Sequence, residues 1–215
     1  MKRSEVYSAV EASKIIPVFY NGDVETACNV VEACYKGGIR SFEFAARGPK
    51  ALEVFRSLVP FVAEKCPGML LGVGSVSDPR SACSFISAGA AFVVGPQFVP
   101  SVGRVCRFRG VAYIPGCGTV SEVGRAQRAG CSLCKVFPGD VLGPKFVKAL
   151  MAPMPWSRVM VTGGVKPEKE NLDSWFSSGA VCVGMGSNLF PKEAIASSDW
   201  DTITRLCAES IACLH

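Results

Sequence analysis

Two side chains of this sequence, Lys135 and Glu43, are suited to covalent and proton-transfer chemistry, because each is an ionisable residue set inside an apolar run. Lys135 lies in Cys131-Ser132-Leu133-Cys134-Lys135-Val136-Phe137-Pro138, bounded by Gly130 and by Gly139-Asp140, a length and flanking that predict a buried strand. Side chains alternate along a strand, so Lys135 is expected to share a face with Cys131, Leu133 and Phe137 and to be kept from water. An unpaired ammonium is costly to bury, and a lysine in apolar surroundings gives up its proton more readily. The resulting amine is a nucleophile. The plainer alternative is a lysine at the strand's end that snorkels to solvent or pairs with a carboxylate.

Glu43 falls in Ser41-Phe42-Glu43-Phe44-Ala45-Ala46, on the face opposite both phenylalanines, with Arg47 following. On a surface strand that alternation would put Glu43 in water. In a barrel, Phe42 and Phe44 would face a helix layer and Glu43 the interior, where a carboxylate needs a partner or a proton to move. Two glycine-rich stretches, Thr162-Gly163-Gly164 and Gly184-Met185-Gly186-Ser187, supply backbone N–H groups of the kind that hold phosphate. Gly72-Val73-Gly74-Ser75, Gly95-Pro96 and Ile114-Pro115-Gly116-Cys117-Gly118-Thr119 place small residues where a ligand needs room.

These residues can meet only if the chain gathers them. The pattern predicts strands at Ile15 to Tyr20, Ser41 to Ala46, Leu70 to Val76, Phe92 to Gly95, Ala112 to Pro115, Ser132 to Phe137, Val159 to Thr162 and Val181 to Met185. A short leading helix, Val6 to Lys14, precedes them. Helix starts are marked by Asn21-Gly22-Asp23, Pro49, Asp78-Pro79, Pro100, Thr119-Val120-Ser121-Glu122 and Pro167. Gly38, Gly89, Gly110, Gly130 and Gly179 close helices before five of the strands. Eight short apolar strands alternating with helices predict an α/β fold, a single (β/α)8 TIM barrel with a short N-terminal helix, occupying residues 1–215 as one domain. The C-terminal strand ends would then form the working face. An open doubly wound sheet is the alternative, but the first strand-turn lacks a G-x-G-x-x-G.

Composition narrows the function. At 49% hydrophobic and 19% charged residues the chain is globular, and its net charge of +5 forms no basic run interleaved with aromatics, so no nucleic-acid partner is expected. No stretch approaches the roughly 18 apolar residues of a membrane span, and the N-terminus lacks a signal-like segment, so the expected setting is cytoplasmic. Eleven cysteines scattered through apolar patterns read as reduced core thiols; Cys131 and Cys134 form a C-x-x-C, but along a strand and without a second pair. The single histidine is His215, which leaves histidine-based catalysis or metal ligation almost no material, and no metal or cofactor is expected.

The motifs Ile16-Pro17-Val18, Gly38-Ile39-Arg40, Glu43 with Arg47 and Pro49, Gly72-Val73-Gly74-Ser75-Val76, Ile114-Pro115-Gly116, Lys135-Val136-Phe137-Pro138 and Thr162-Gly163-Gly164 together resemble the 2-keto-3-deoxy-6-phosphogluconate/4-hydroxy-2-oxoglutarate aldolase family, in order and over nearly the whole chain. The resemblance implies a metal-free class I aldolase, a homotrimer, that cleaves a phosphorylated keto acid to pyruvate and glyceraldehyde 3-phosphate. It implies Lys135 as the Schiff-base lysine and Glu43 as the proton carrier. Arg47 and Ser75 are expected at the pyruvyl carboxylate, Phe137 and Pro96 as walls, and Thr162, Gly163, Gly164, Gly186 and Ser187 around the rest of the substrate and its phosphate. Departures from the family pattern lie near the mouth. Gly184-Met185-Gly186-Ser187 reads as a one-residue insertion, Ser75 replaces threonine, Gly48 follows Arg47, Gly139-Asp140 follows Pro138, and position 20 is Tyr. They bear on substrate identity, with 4-hydroxy-2-oxoglutarate and the galactonate epimer as the near alternatives. A phosphate-binding isomerase or synthase barrel would need no lysine on the sixth strand, and a non-catalytic barrel that binds a phosphosugar acid would need neither Lys135 nor Glu43.

Overall fold

A computed structural model describes residues 1–214; His215 lies outside the described residues. Helix α1, Arg3–Ala12, leads into alternating strands and helices: β1 Ile15–Phe19, α2 Val24–Lys36, β2 Ser41–Ala45, α3 Ala51–Lys65, β3 Leu70–Gly74, α4 Pro79–Ala88, β4 Phe92–Val94 and α5 Pro100–Phe108. The second half runs β5 Ala112–Ile114, β6 Gly116–Cys117, α6 Val120–Arg128, β7 Cys134–Val136, α7 Gly139–Met151, β8 Val159–Thr162, α8 Lys169–Ser177, β9 Cys182–Met185, α9 Lys192–Ala196 and α10 Trp200–Ala212. The strands form one parallel sheet in the order β5-β4-β3-β2-β1-β9-β8-β7-β6, a nearly closed barrel.

The expected count of eight strands is corrected to nine. Pro115, which has no N–H to give a ladder, divides the fifth strand into β5 and β6. β5 pairs with β4, and β6 pairs with β7 through Gly116↔Lys135 and Cys117↔Val136. The Ile114 carbonyl accepts from Gly95 N–H at 3.0 Å, so the backbone groups of Tyr113 face away from β4. There the Tyr7 hydroxyl stands in for a strand, donating to the Tyr113 carbonyl at 2.8 Å and accepting from its N–H at 3.0 Å. Burial pushes the Tyr7 phenol up to about 12, so it stays a neutral donor and acceptor.

Two apolar shells follow from the alternation along the strands. The inner one joins Ile16, Phe92, Val94, Ile114, Leu133, Met160 and Cys182 to Val6, Tyr7 and Val10 of α1, which stops the N-terminal end of the barrel. The outer one packs Phe42, Phe44, Val73, Val136, Val161 and Val183 under the helices. Glu11, buried on α1, pairs with Arg158 just ahead of β8 and fastens the stopper. One detail of the sixth predicted strand changes. β7 is only Cys134–Val136, and Cys131, lying before it, joins the outer shell instead of the Lys135 face. The closing helices α9 and α10 add to the predicted elements; α10 crosses α2, with Thr204 Oγ1 donating to the Ala33 carbonyl at 3.1 Å.

Candidate active site

β2 is buried throughout because Phe42 and Phe44 fill the outer shell, Phe44 with its ring 6.0 Å from that of Phe55. Glu43 is thereby turned into the barrel. On β7, Cys134 and Val136 face the helices, and Lys135 is turned inward above Leu133. The two groups meet: Lys135 Nζ lies 3.8 Å from Glu43 Oε1, with side-chain exposures of 5% and 0%. The snorkelling alternative is thus excluded, whereas a carboxylate partner is present. Neither oxygen of Glu43 has a hydrogen-bond partner within the described protein, and the same holds for Thr162 Oγ1. Buried oxygens of this kind are normally satisfied, so their free lone pairs and the adjacent amine mark a place where a polar ligand belongs.

Gly74, opposite Ala45 on β3, makes the space for Glu43, since a Cβ there would lie 2.0 Å from Oε1. Nothing in the sequence singled it out from the other strand-end glycines. Gly74→Ala is expected to lower kcat about 100-fold by displacing the carboxylate, the usual cost of roughly an ångström of misplacement. A turnover assay paired with circular dichroism checks this, and full activity in a folded variant would refute the role given to Gly74.

The other predicted residues lie at or just beyond the C-terminal strand ends. Phe137 follows β7 with its ring centroid 5.3 Å from Lys135 Nζ, within cation–π range, and is partly open to solvent. Ser75 follows Gly74 and lines, with Ala46 and Gly48, a cavity of about 370 Å³. Arg47 is exposed beyond β2, and Pro96 is half-buried beyond β4. Thr162 ends β8 opposite Gly184, where a Cβ would lie 2.4 Å from its hydroxyl. Gly163 and Gly164 take φ of 99° and 70°, a left-handed turn that explains the glycine pair. Gly186 and the exposed Ser187 open the loop after β9. Met185 is not in that loop. It is the last residue of β9, wholly buried in the outer shell, so the glycine loop begins at Gly186.

A cavity of about 710 Å³ lined by Lys14, Arg40, Phe176 and Leu214 lies at the opposite, N-terminal end of the strands, remote from the Lys135–Glu43 pair. The cysteines are free thiols. Burial pushes Cys131 up to about 11, and contact with Cys117 together with burial raises Cys134 further, so the C-x-x-C offers no thiolate. No grouping of His, Cys, Asp or Glu among the described residues could hold a metal ion, and no helix among them is long and apolar enough to cross a membrane.

A buried amine facing a buried carboxylate, inside a parallel α/β barrel with glycine loops at its mouth, is the arrangement of an aldolase-type carbon–carbon lyase. The chain belongs to the KDPG and KHG aldolase family, whose profile matches residues 6–206. It is 33% identical over 207 residues to the 2-dehydro-3-deoxy-phosphogluconate aldolase of Treponema pallidum, covering 96% of each chain. The 2-dehydro-3-deoxy-6-phosphogalactonate aldolase of Escherichia coli is 31% identical over 161 residues, 74% of this chain and 76% of that one. Among solved structures, the KDPG aldolase of Legionella pneumophila, with pyruvate captured as a covalent carbinolamine, superposes with a TM-score of 0.85 at 28% identity over 97% of both chains.

Proposed function

We propose that the chain is a class I aldolase that cleaves 2-keto-3-deoxy-6-phosphogluconate to pyruvate and glyceraldehyde 3-phosphate through a Schiff base on Lys135. The observation that carries this reading is the 3.8 Å approach of Lys135 Nζ to a Glu43 carboxylate that has no other partner. The Lys135 amine adds to the C2 ketone to give a carbinolamine, and loss of water leaves an iminium. Glu43, directly or through water, takes the proton of the C4 hydroxyl. The C3–C4 bond then breaks, the aldehyde leaves, and the electron pair passes into the iminium to form an enamine. Protonation at C3 and hydrolysis release pyruvate and the free amine.

Arg47, exposed at the end of β2, offers a fork to the pyruvyl carboxylate, and Ser75 a hydroxyl beside it. Phe137 and Pro96 wall the mouth, Thr162 turns its hydroxyl toward the substrate chain, and Gly163, Gly164, Gly186 and Ser187 hold the phosphate. The fifth strand counts as one interrupted stave of an eight-stave barrel, and residues 1–215 as one catalytic domain in the cytoplasm. The galactonate epimer is the second reading, supported by the similarity to the E. coli enzyme. Pyruvate release from the two epimers and from 4-hydroxy-2-oxoglutarate tests the choice, and a higher kcat/KM for either rival would displace the gluconate.

The family resemblance also leads us to assign a homotrimer. Val141, 77% exposed, and the exposed Phe137 and Val120 all follow C-terminal strand ends, and exposed apolar side chains of this kind are suited to burial between subunits. Native mass spectrometry is expected to give three times the 22.8 kDa chain mass, and a monomer at micromolar concentration would refute the assignment.

A further inference from the structure

The anion-holding amides lie on two separate loops, one after β8 and one after β9, and two asparagines fix how those loops face. Asn188 Nδ2 donates to the Val165 carbonyl at 2.7 Å, a bond between the loops across 23 residues of sequence. Asn171 Nδ2 donates to the Gly164 carbonyl at 3.1 Å, and its Oδ1 accepts from Lys166 N–H at 2.9 Å. A trans peptide unit points its N–H opposite its carbonyl. With the Gly164 carbonyl turned to Asn171, the Val165 N–H is turned away from Asn171. The N–H groups of Gly164, Val165, Gly186 and Ser187 have no protein acceptor among the described residues. Donors of this kind, brought together from two loops, make an anion site only while the loops hold their separation.

We propose that Asn188 is a positioning residue: its side-chain amide straps the loop after β8 to the loop after β9, so that their free N–H groups converge on one phosphoryl group. The inference rests on the aldolase reading for the identity of the substrate, but its geometry does not depend on Lys135. Asn188 is an exposed residue, so no packing demand explains an amide side chain at this point. An aspartate in its place would lack the donor and add a negative charge beside the anion, so Asn188→Asp should be worse than Asn188→Ala.

Two measurements on the full-length chain separate the possibilities: calorimetric binding of inorganic phosphate, and exchange of pyruvate methyl protons with deuterated solvent, which needs the amine but no phosphate. Asn188→Ala is expected to weaken phosphate binding and raise KM for the phosphorylated acid about tenfold, roughly one lost hydrogen bond. Asn188→Asp should go further, with pyruvate exchange at the wild-type rate in both. Unchanged phosphate binding in Asn188→Ala, no phosphate binding by the wild type, or an equal fall in pyruvate exchange would overturn the strap. Tenfold weaker phosphate binding with no pyruvate exchange even in the wild type would uphold the strap and sink the aldolase reading.

Discussion

Lys135→Ala is expected to lower kcat by roughly 10⁵-fold, to the background of the assay, because removing a covalent nucleophile takes away the reaction path itself. Among the described residues Lys135 is the one buried lysine, and Lys145 and Lys166 lie on the surface. Substrate binding should survive, since the proposed phosphate and carboxylate contacts lie elsewhere. A retained Kd for a keto-deoxy acid with absent turnover is therefore the expected pair of results. Lys135→Arg should be as inactive, because a guanidinium stays protonated and cannot form the iminium. Stopped turnover together with lost folding would be uninformative for alanine alone, and Lys135→Arg, which keeps a long polar side chain beside Glu43, guards against that.

Glu43→Gln is the second large effect, an expected fall in kcat of about 10³-fold, within the range of a lost general base. It should separate the steps. The amide keeps the shape of the carboxylate and the space opposite Gly74. Attack of Lys135 on pyruvate does not require deprotonation of a C4 hydroxyl, so borohydride trapping of a pyruvate adduct should persist, while carbon–carbon cleavage and exchange of the pyruvate methyl protons slow together. If the Glu43→Gln variant cleaved substrate at the wild-type rate, proton transfer would have to be assigned to another group, and Thr162, whose buried hydroxyl also lacks a protein partner, would be the first to consider.

Much of this site could be read before any coordinates, because it rests on the two-residue period of strands. Phe42 and Phe44 flanking Glu43 fixed which way the carboxylate faces once a barrel was inferred, and Leu133 and Phe137 did the same for Lys135. What escaped was set by contacts between distant segments. Beside the break at Pro115, the Tyr7 hydroxyl occupies the other side of Tyr113, a contact across 106 residues. The departures at Tyr20 and Gly48 looked independent in sequence. In the structure they are one feature: a Cβ on Gly48 would lie 2.2 Å from the Tyr20 hydroxyl, so the tyrosine fills the place of a side chain at position 48. Met185 looked like an addition to the glycine loop after the eighth predicted strand, and only its place in β9, paired with Pro17, shows that the loop starts one residue later. Gly74 and Asn188 carry no local signature, since their work is done against a side chain or a carbonyl from another segment.

The most direct measurement is intact-mass analysis of the protein after incubation with pyruvate and borohydride, followed by peptide mapping. A single reduced pyruvyl adduct, on the peptide containing Lys135 and absent from Lys135→Ala, is the predicted result. An unmodified protein, or the same adduct on another lysine, would contradict the account.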